Sequence, residues 1–207
     1  MDIVCELNEI VKKYGSERVL GPVSVSFERG SVTGIAGPNG AGKSTLLSIA
    51  AGIIAPDSGT RWTSGGRICY VPQELALYPS LSCRDNLSFW AGVYGLNRRL
   101  RRSRISSALE LVELSDKADK AVETLSGGMK RRLNIAAALL APSELLLLDE
   151  PTAGCDAHSV EVILRTLSHA ADNYCSVVFV THSADELGIC SRVIYLENGL
   201  VARESAG

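Results

Sequence analysis

A glycine-rich segment near the N-terminus constrains this chain more than any other feature. Residues 37–45 read GPNGAGKST and fit G-x-x-x-x-G-K-[ST], the pattern of a loop that wraps phosphate groups with backbone N–H groups. The apolar residues 32–36 before it predict a strand, and residues 44–51 after it predict a helix. Because this loop binds nucleotides when it connects a strand to a helix, the sequence predicts a parallel α/β core with a nucleotide site.

The residue types of this loop suit a polyphosphate. Glycines permit a close backbone approach and positive φ angles. The Lys43 ammonium can place charge on the outer phosphates, the Ser44 hydroxyl suits Mg²⁺, and the helix N-terminus adds its dipole. The candidate nucleotide-binding residues are Gly37, Pro38, Asn39, Gly40, Ala41, Gly42, Lys43, Ser44 and Thr45.

Two acidic residues, Asp149 and Glu150, follow the apolar run at residues 145–148. Such a run is typical of a strand buried on both faces of a parallel sheet, and ligands collect where such strands end. Asp149 can hold Mg²⁺ there through water. Strand alternation would turn Glu150 toward the other side, where it can polarise an attacking water. Taken alone, the pair could equally be two acids at a solvated strand end.

Two further polar residues follow strands that the sequence predicts. Gln73 comes after residues 68–71 and a proline, and its side-chain oxygen can reach Mg²⁺ or the attacking water. His182 comes after residues 177–180, and its imidazole can donate to a γ-phosphate. Each residue alone is more typical of a solvated loop or a cap, so their roles depend on the family resemblance below.

The remaining pattern indicates strands alternating with helices and a helical insertion at residues 75–143. Alternating residues 23–27 predict a half-buried strand, and the Ser82–Asp85 spacing resembles a capping box. Helices are expected at 126–140, 159–170 and 185–189, a strand at 192–196, and turns at 28–31, 56–59, 64–66 and around 199.

Composition excludes several classes of protein. The chain has 207 residues and a net charge of −2, so nothing global suggests nucleic-acid binding. Its six cysteines lack C-x-x-C spacing, which favours reduced, buried thiols over a zinc or redox site. The first residues are too acidic, and their apolar run is too short, to be expected to act as a signal peptide, and no apolar stretch approaches the roughly 20 residues of a membrane helix. Any membrane role is therefore expected to come through a partner.

The segment LSGGMKRR at residues 125–132 resembles the signature of the ATP-binding cassette (ABC) ATPases. The order of the phosphate loop, Gln73, the signature, Asp149–Glu150, Asp156 and His182 also matches that family along nearly the whole chain. The resemblance implies catalytic roles for Glu150, His182, Gln73 and Lys43. It also implies a magnesium site of Ser44, Gln73 and Asp149, with ATP and Mg²⁺ bound.

The same resemblance implies that two ATP molecules are held between two head-to-tail subunits. Ser126, Gly127 and Gly128 would contact the γ-phosphate of ATP held by a second subunit, identical or related, and a homodimer is expected. Asp156 would lie in the loop that crosses the dimer seam. Tyr14 resembles the aromatic residue that stacks on adenine, although a surface tyrosine beside a turn is the alternative.

The family fold implied is a P-loop NTPase core with a parallel sheet flanked by helices, an N-terminal antiparallel β subdomain and an inserted helical subdomain. The single ABC domain at 1–207 would comprise a core lobe, 1–74 with 144–207, and a helical lobe, 75–143. A polytopic membrane permease subunit would hold the chain at the cytoplasmic face of the membrane, and no nucleic-acid partner is expected.

Details of the sequence lean toward one branch of the family. Met129 after the glycines, with residues 70–74 and 85–89, is similar to exporters of drugs, lipids and polysaccharides. Gly154-Cys155-Asp156-Ala157 departs from the usual Gly-Leu-Asp-Pro, and a hairpin at 59–67 is expected to be trimmed. A soluble ABC ATPase acting on ribosomes or DNA, or a regulatory cassette, remains the alternative.

Five arginines occur in the eight residues 97–104. A solvated helix entry is the favoured interpretation of this run. A patch for nucleic acid or anionic lipid is the alternative.

Overall fold

The computed structural model describes residues 2–206 and divides them into two compact units. The first unit contains the described residues up to Tyr70, Ser143–Glu150, and the described residues from Ser168 onward. The second unit contains Val71–Pro142 and Pro151–Leu167. The sequence predicts a core lobe at 1–74 with 144–207 and a helical lobe at 75–143. That division of the chain stays a prediction.

Nine strands are present among the described residues, arranged in two sheets. The strands are β1 (Ile3–Tyr14), β2 (Glu17–Glu28), β3 (Val32–Ala36), β4 (Ser58–Thr63), β5 (Ile68–Val71), β6 (Leu145–Asp149), β7 (Ser176–Val180), β8 (Arg192–Glu197) and β9 (Leu200–Ala206). A three-stranded antiparallel sheet has the order β2-β1-β4. A six-stranded sheet has the order β5-β6-β7-β3-β8-β9, in which β6, β7, β3 and β8 run parallel and β9 is antiparallel.

The five α-helices of the described residues are α1 (Lys43–Ala51), α2 (Cys83–Val93), α3 (Arg98–Leu111), α4 (Gly127–Ala138) and α5 (Ala157–Asp172). Short 3₁₀ helices occupy Ser115–Lys117, Val122–Thr124 and Glu186–Ile189. The predicted α/β class with an inserted helical segment is confirmed. Ser82 caps α2 by accepting a hydrogen bond from the Asp85 amide, as its spacing predicts.

Apolar burial follows the pattern that the sequence predicts for the central strands. Every residue of β3, β6 and β7 is buried, as expected for strands covered on both faces. In β2, the apolar residues 23, 25 and 27 are buried and residue 24 is exposed, which confirms the half-buried strand. Each unit has its own core, one around Phe27, Leu47 and Leu147, the other around Leu87, Leu109 and Leu133.

Two strands were not predicted. Turn signals occur at residues 56–59 and 64–66, with a trimmed hairpin expected at 59–67, yet β4 pairs with β1 over Ser58–Thr63. Beyond the turn signal around Gly199, β9 pairs with β8. No residue of β4 is fully buried, so it carries no apolar period that could be read from sequence. Both strands lie at the edge of their sheet, where backbone pairing decides the conformation.

All six cysteines are free thiols, five of them buried and Cys155 partly exposed. Burial raises the pKa of Cys5 to about 11 and that of Cys190 to about 12, so both remain protonated at neutral pH. Over residues 2–206, every helix falls short of the length and apolar character that crossing a bilayer requires.

Candidate nucleotide site

The phosphate loop connects β3 to α1, as the sequence predicts. Gly37 and Gly42 have φ angles of +146° and +92°, which favour glycine. A Cβ would lie 2.1 Å from the Leu196 carbonyl oxygen at Gly37 and 2.8 Å from the Val19 oxygen at Gly42. At Gly40, with φ of +78°, a Cβ would meet no atom within 4 Å. The loop therefore packs tightly on one side and leaves Gly40 open.

Lys43 is buried over this loop. Its Nζ donates to the carbonyl oxygens of Gly37 at 2.9 Å and Pro38 at 2.8 Å. Burial lowers the pKa of Lys43, and the nearby carboxylates of Glu150 and Asp149 act in the opposite direction. The Lys43 ammonium is thus held at the loop, within electrostatic reach of the Asp149 and Glu150 carboxylates.

The acidic pair lies at the end of β6. Asp149 is its last residue, is buried and pairs with Val180 of β7. Glu150 lies just beyond the strand with a φ of +48°, a left-handed conformation that is uncommon for a residue with a side chain. Its direction is therefore set by this turn, whereas the sequence argument attributed it to strand alternation. Such local strain is typical of functional sites.

His182 meets Glu150 in the first unit. The His182 Nε2 is 3.2 Å from the Glu150 Oε1, with the two side chains 44% and 27% exposed. Both groups are therefore accessible to a small molecule as well as to each other. This contact joins residues that the sequence placed after two different strands.

A second contact beside His182 was missed by sequence reasoning. The Thr181 hydroxyl donates to Glu186 Oε2 at 2.5 Å, and the Ser183 amide donates to the Thr181 oxygen at 3.0 Å. Thr181 and Glu186 are both buried. A glutamate in a short polar segment gives no sequence signal of burial, so this contact could not have been read from the pattern.

Tyr14 is the last residue of β1, also in the first unit. Its side chain is 53% exposed and the Lys12 Nζ lies 5.8 Å from the ring centroid. An exposed aromatic face of this kind can stack on a planar ring. Its assignment to adenine stays a prediction.

The signature lies in the second unit at the start of α4. Ser126 is the N-cap, and its Oγ accepts from the Met129 amide at 3.2 Å. Gly127 is exposed, and a Cβ there would meet no atom within 4 Å. A Cβ on Gly128 would lie 2.3 Å from the Ser159 Oγ, so this glycine is required for internal packing. Ser126 and Gly127 therefore form the accessible part of the signature.

Asp156 and Gln73 belong to the second unit as well. Asp156 precedes α5 and accepts from the Ser159 amide and hydroxyl, both at 2.9 Å, which lowers its pKa. The capping bonds fix this carboxylate beside Gly128. Gln73 is exposed, and its backbone oxygen accepts from the Arg131 guanidinium at 2.5 Å. The arrangement holds Gln73 near the signature helix.

The oxygen donors of the first unit fit a magnesium ion. The exposed Ser44 hydroxyl follows Lys43, and the Asp149 carboxylate lies within electrostatic reach of Lys43. No group of three His, Cys, Asp or Glu side chains among residues 2–206 could hold a metal by itself. Mg²⁺ suits such a sparse set because it keeps waters and binds through one or two protein oxygens plus substrate phosphates.

Comparisons with known proteins agree on one family. The model of the ABC transporter family matches residues 20–153, which include the phosphate loop, the signature and the acidic pair. The linearmycin resistance ATP-binding protein of Bacillus subtilis is 39% identical over 94% of this chain and 66% of its own length. The Nod factor export ATP-binding protein I of Sinorhizobium fredii is 35% identical over 96% of this chain and 61% of its own length. The chain thus spans less than two thirds of these two relatives.

Two further matches extend this result. A probable sulfate/thiosulfate import ATP-binding protein of Chlorella vulgaris is 34% identical over 94% of this chain and 88% of its own length. A dimeric ATP-binding cassette, solved in a post-hydrolysis state with ADP and Pi bound, superposes with a TM-score of 0.87 and 29% identity over 98% of both chains. With the phosphate loop, signature and acidic pair all inside the matched region, the chain belongs to the ABC transporter family as one of its ATP-binding cassettes.

Proposed function

We propose that this chain is the ATP-hydrolysing subunit of an ABC exporter and works with a separate membrane permease subunit. The observation that carries the proposal is the contact of Glu150 with His182, at 3.2 Å, beside a phosphate loop whose lysine is already held in place. A cassette with an intact carboxylate and imidazole at this point is equipped to hydrolyse ATP as well as to bind it.

The residues of the first unit divide the chemistry among them. The loop amides and Lys43 bind the polyphosphate, and Tyr14 stacks on the base. Glu150 orients the attacking water and accepts its proton, while His182 donates to the γ-phosphate. Ser44 and Asp149 would hold Mg²⁺, which would neutralise charge on the phosphates, and Gln73 stays the third ligand that the family resemblance implies. Catalysis by these groups is positioning and charge stabilisation.

A second copy of the chain completes the site in this proposal. The chain carries one phosphate loop and one signature, and a two-fold dimer brings each loop against the signature of the other copy. Ser126 and Gly127 are accessible for that contact, and Gly128 and Asp156 support them from within. The dimeric cassette with ADP and Pi bound supports such an assembly.

Export is favoured over import by the relatives. The names of two of them refer to linearmycin resistance and to Nod factor export, and one refers to import of sulfate or thiosulfate. The choice of substrate belongs to the membrane permease subunit. The same subunit would hold the chain at the cytoplasmic face.

A pull-down tests this function. Tagged Glu150→Gln chain is incubated with ATP and Mg²⁺ in detergent-solubilised cells, with Glu113→Gln as a matched control outside the site. Recovery of a polytopic membrane protein with the first variant supports the transporter function, and the identity of that protein narrows the substrate. Recovery of ribosomes or DNA instead, or of a soluble dimer alone, would contradict it and favour a soluble or regulatory cassette.

A further inference from the structure

The first two turns of α3 carry a concentrated positive charge, here called the arginine patch and defined as Arg98, Arg99, Arg101, Arg102 and Arg104. Arg101 is half-buried and donates to the Leu96 carbonyl oxygen at 3.3 Å, and the other four are exposed. Within residues 2–206, no member of the patch forms an ion pair with an acidic side chain. The patch therefore presents four uncompensated charges to its surroundings.

This charge stands at the unfavourable end of the helix. Asn97 caps α3, its Oδ1 accepting from the Arg99 amide at 2.9 Å, and the first turn contains no acid. Because the N-terminus of a helix carries partial positive charge, cations there oppose the dipole and repel one another. An anionic partner would relieve both effects. By contrast, Arg84 and Arg165 of the same unit are each paired with a carboxylate.

Apolar side chains accompany the arginine patch. Leu100, between the arginines, is 52% exposed, and Val93, at the end of α2, is 58% exposed. The other residue between the arginines is the exposed Ser103, and the exposed Ser106 and Ser107 that follow on α3 are also short. Cationic heads beside exposed aliphatic side chains are typical of surfaces that bind the headgroup region of a bilayer.

The extent of the patch argues against a nucleic acid. Seven helical residues, 98–104, span about 10 Å, which is about three phosphates along one DNA strand. The rest of the chain supplies no excess of positive charge, since its net charge is −2 with the patch included. A short cluster of this size matches a few lipid headgroups better than an extended duplex.

We propose that the arginine patch of α3, with Leu100 and Val93, binds the surface of an anionic lipid bilayer. Guanidinium groups donate paired hydrogen bonds to lipid phosphates, and the two aliphatic side chains enter the headgroup boundary. Lipid binding by the patch rests on the proposed function in one respect, namely that the permease brings the chain to a membrane. Vesicle binding without nucleotide is independent of hydrolysis, so its failure would leave the ATPase function untouched.

Vesicle sedimentation tests the proposal. The full chain is mixed with vesicles of phosphatidylcholine alone, or of equal parts phosphatidylcholine and phosphatidylglycerol. The test variant carries Arg98→Gln, Arg99→Gln, Arg102→Gln and Arg104→Gln. The control variant removes the same number of charges from the same unit by Arg84→Gln, Lys117→Gln, Lys120→Gln and Arg165→Gln.

The expected result is binding of the wild type and the control variant to the anionic vesicles only. Each arginine near such a surface contributes about fivefold to partitioning, so the test variant, which lacks four, should bind about 600-fold more weakly. Salt at about 1 M, where the Debye length is about 3 Å, should abolish binding. Equal vesicle binding by wild type and test variant would overturn the proposal. So would a stronger, patch-dependent affinity for duplex DNA at the same phosphate concentration.

Discussion

Two Glu–His contacts of nearly the same geometry lie in different units of this molecule. The Glu150 Oε1 is 3.2 Å from the His182 Nε2, and the Glu113 Oε2 is 3.1 Å from the His158 Nε2. Both glutamates have left-handed backbones, with φ of +48° and +55°. Local geometry alone would therefore give both contacts the same function.

Their surroundings differ in ways that decide the function. Glu113 follows α3 and forms its C-terminal cap, since its amide donates to the Glu110 oxygen and the Leu114 amide donates to the Leu109 oxygen. This is a Schellman motif, in which a left-handed residue is expected. The helix end therefore explains the φ angle of Glu113 without any catalytic role.

Glu150 has no helix end to explain its conformation. It follows a buried strand, and Lys43 of the phosphate loop lies within electrostatic reach of its carboxylate. The Glu113 carboxylate instead accepts from Arg165 at 2.6 Å, and this bond lowers its pKa. One contact is thus placed beside a phosphate-binding loop, and the other ties α5 to the end of α3. A Glu–His contact therefore indicates catalysis only where it lies beside a phosphate-binding loop.

The largest expected difference between the two contacts is in ATP turnover. Glu150→Gln should lower phosphate release by about 10²- to 10⁴-fold, because the amide cannot accept a proton from water. Glu113→Gln should leave turnover close to the wild-type value. Phosphate release at saturating ATP and Mg²⁺ measures both variants. Comparable losses in the two variants would show that the contacts do not differ as described.

The second-largest difference is expected in ATP affinity, when the cation beside each glutamate is removed. Lys43→Ala should weaken ATP binding by about 10- to 100-fold, the value of one or two charge-assisted hydrogen bonds. Arg165→Ala, which removes the cation beside Glu113, should leave ATP affinity unchanged. Calorimetric titration with ATP gives both affinities. Unchanged affinity in the lysine variant would place the phosphates elsewhere.

A smaller effect on the rate of hydrolysis should come from removing the Thr181–Glu186 contact next to His182. Glu186→Ala removes the acceptor of the Thr181 hydroxyl, and we expect kcat to fall about fivefold to tenfold while KM changes little. Glu186→Gln should restore most of the rate, because an amide oxygen can accept the same bond. Steady-state kinetics separates the two constants. If both the alanine and the glutamine variant lost thermal stability together with kcat, the role of Glu186 would be structural only.

The smallest effect concerns the pH dependence of the structural contact. The pKa of Glu113 is lowered in the folded chain, so its contribution to stability is present above its unfolded pKa of about 4.3 and is lost as pH falls through the folded value. Glu113→Gln should therefore lower the Tm slightly at neutral pH and make no difference in strong acid. Thermal melts across this range measure it. A difference that grows toward acid pH would have the wrong sign.

The sequence predicted those parts of the fold in which burial imposes a pattern. β6 is buried throughout and apolar up to Asp149 because both of its faces are covered, and α4 begins just after Ser126, whose hydroxyl caps it. β4 and β9 are exposed edge strands whose pairing leaves no apolar period, so neither was predicted. Local patterns record side-chain burial more faithfully than backbone pairing.

The site was predictable residue by residue but not in its contacts. The phosphate loop and acidic pair follow from motif and position. The left-handed conformation of Glu150 and the contact of Thr181 with buried Glu186 depend on tertiary neighbours. The requirement for Gly128 likewise arises from Ser159, 31 positions further along the chain, which no local pattern reveals.

Sedimentation velocity of Glu150→Gln with ATP and Mg²⁺ tests most directly whether the signature of a second copy completes the site. We predict a dimer with ATP and a monomer without it. Adding Gly127→Glu should return the ATP-bound variant to a monomer, because this exposed position has room for a side chain within its own copy but would repel phosphates of the other. A monomer with ATP, or a dimer that tolerates the glutamate, would contradict the proposed site.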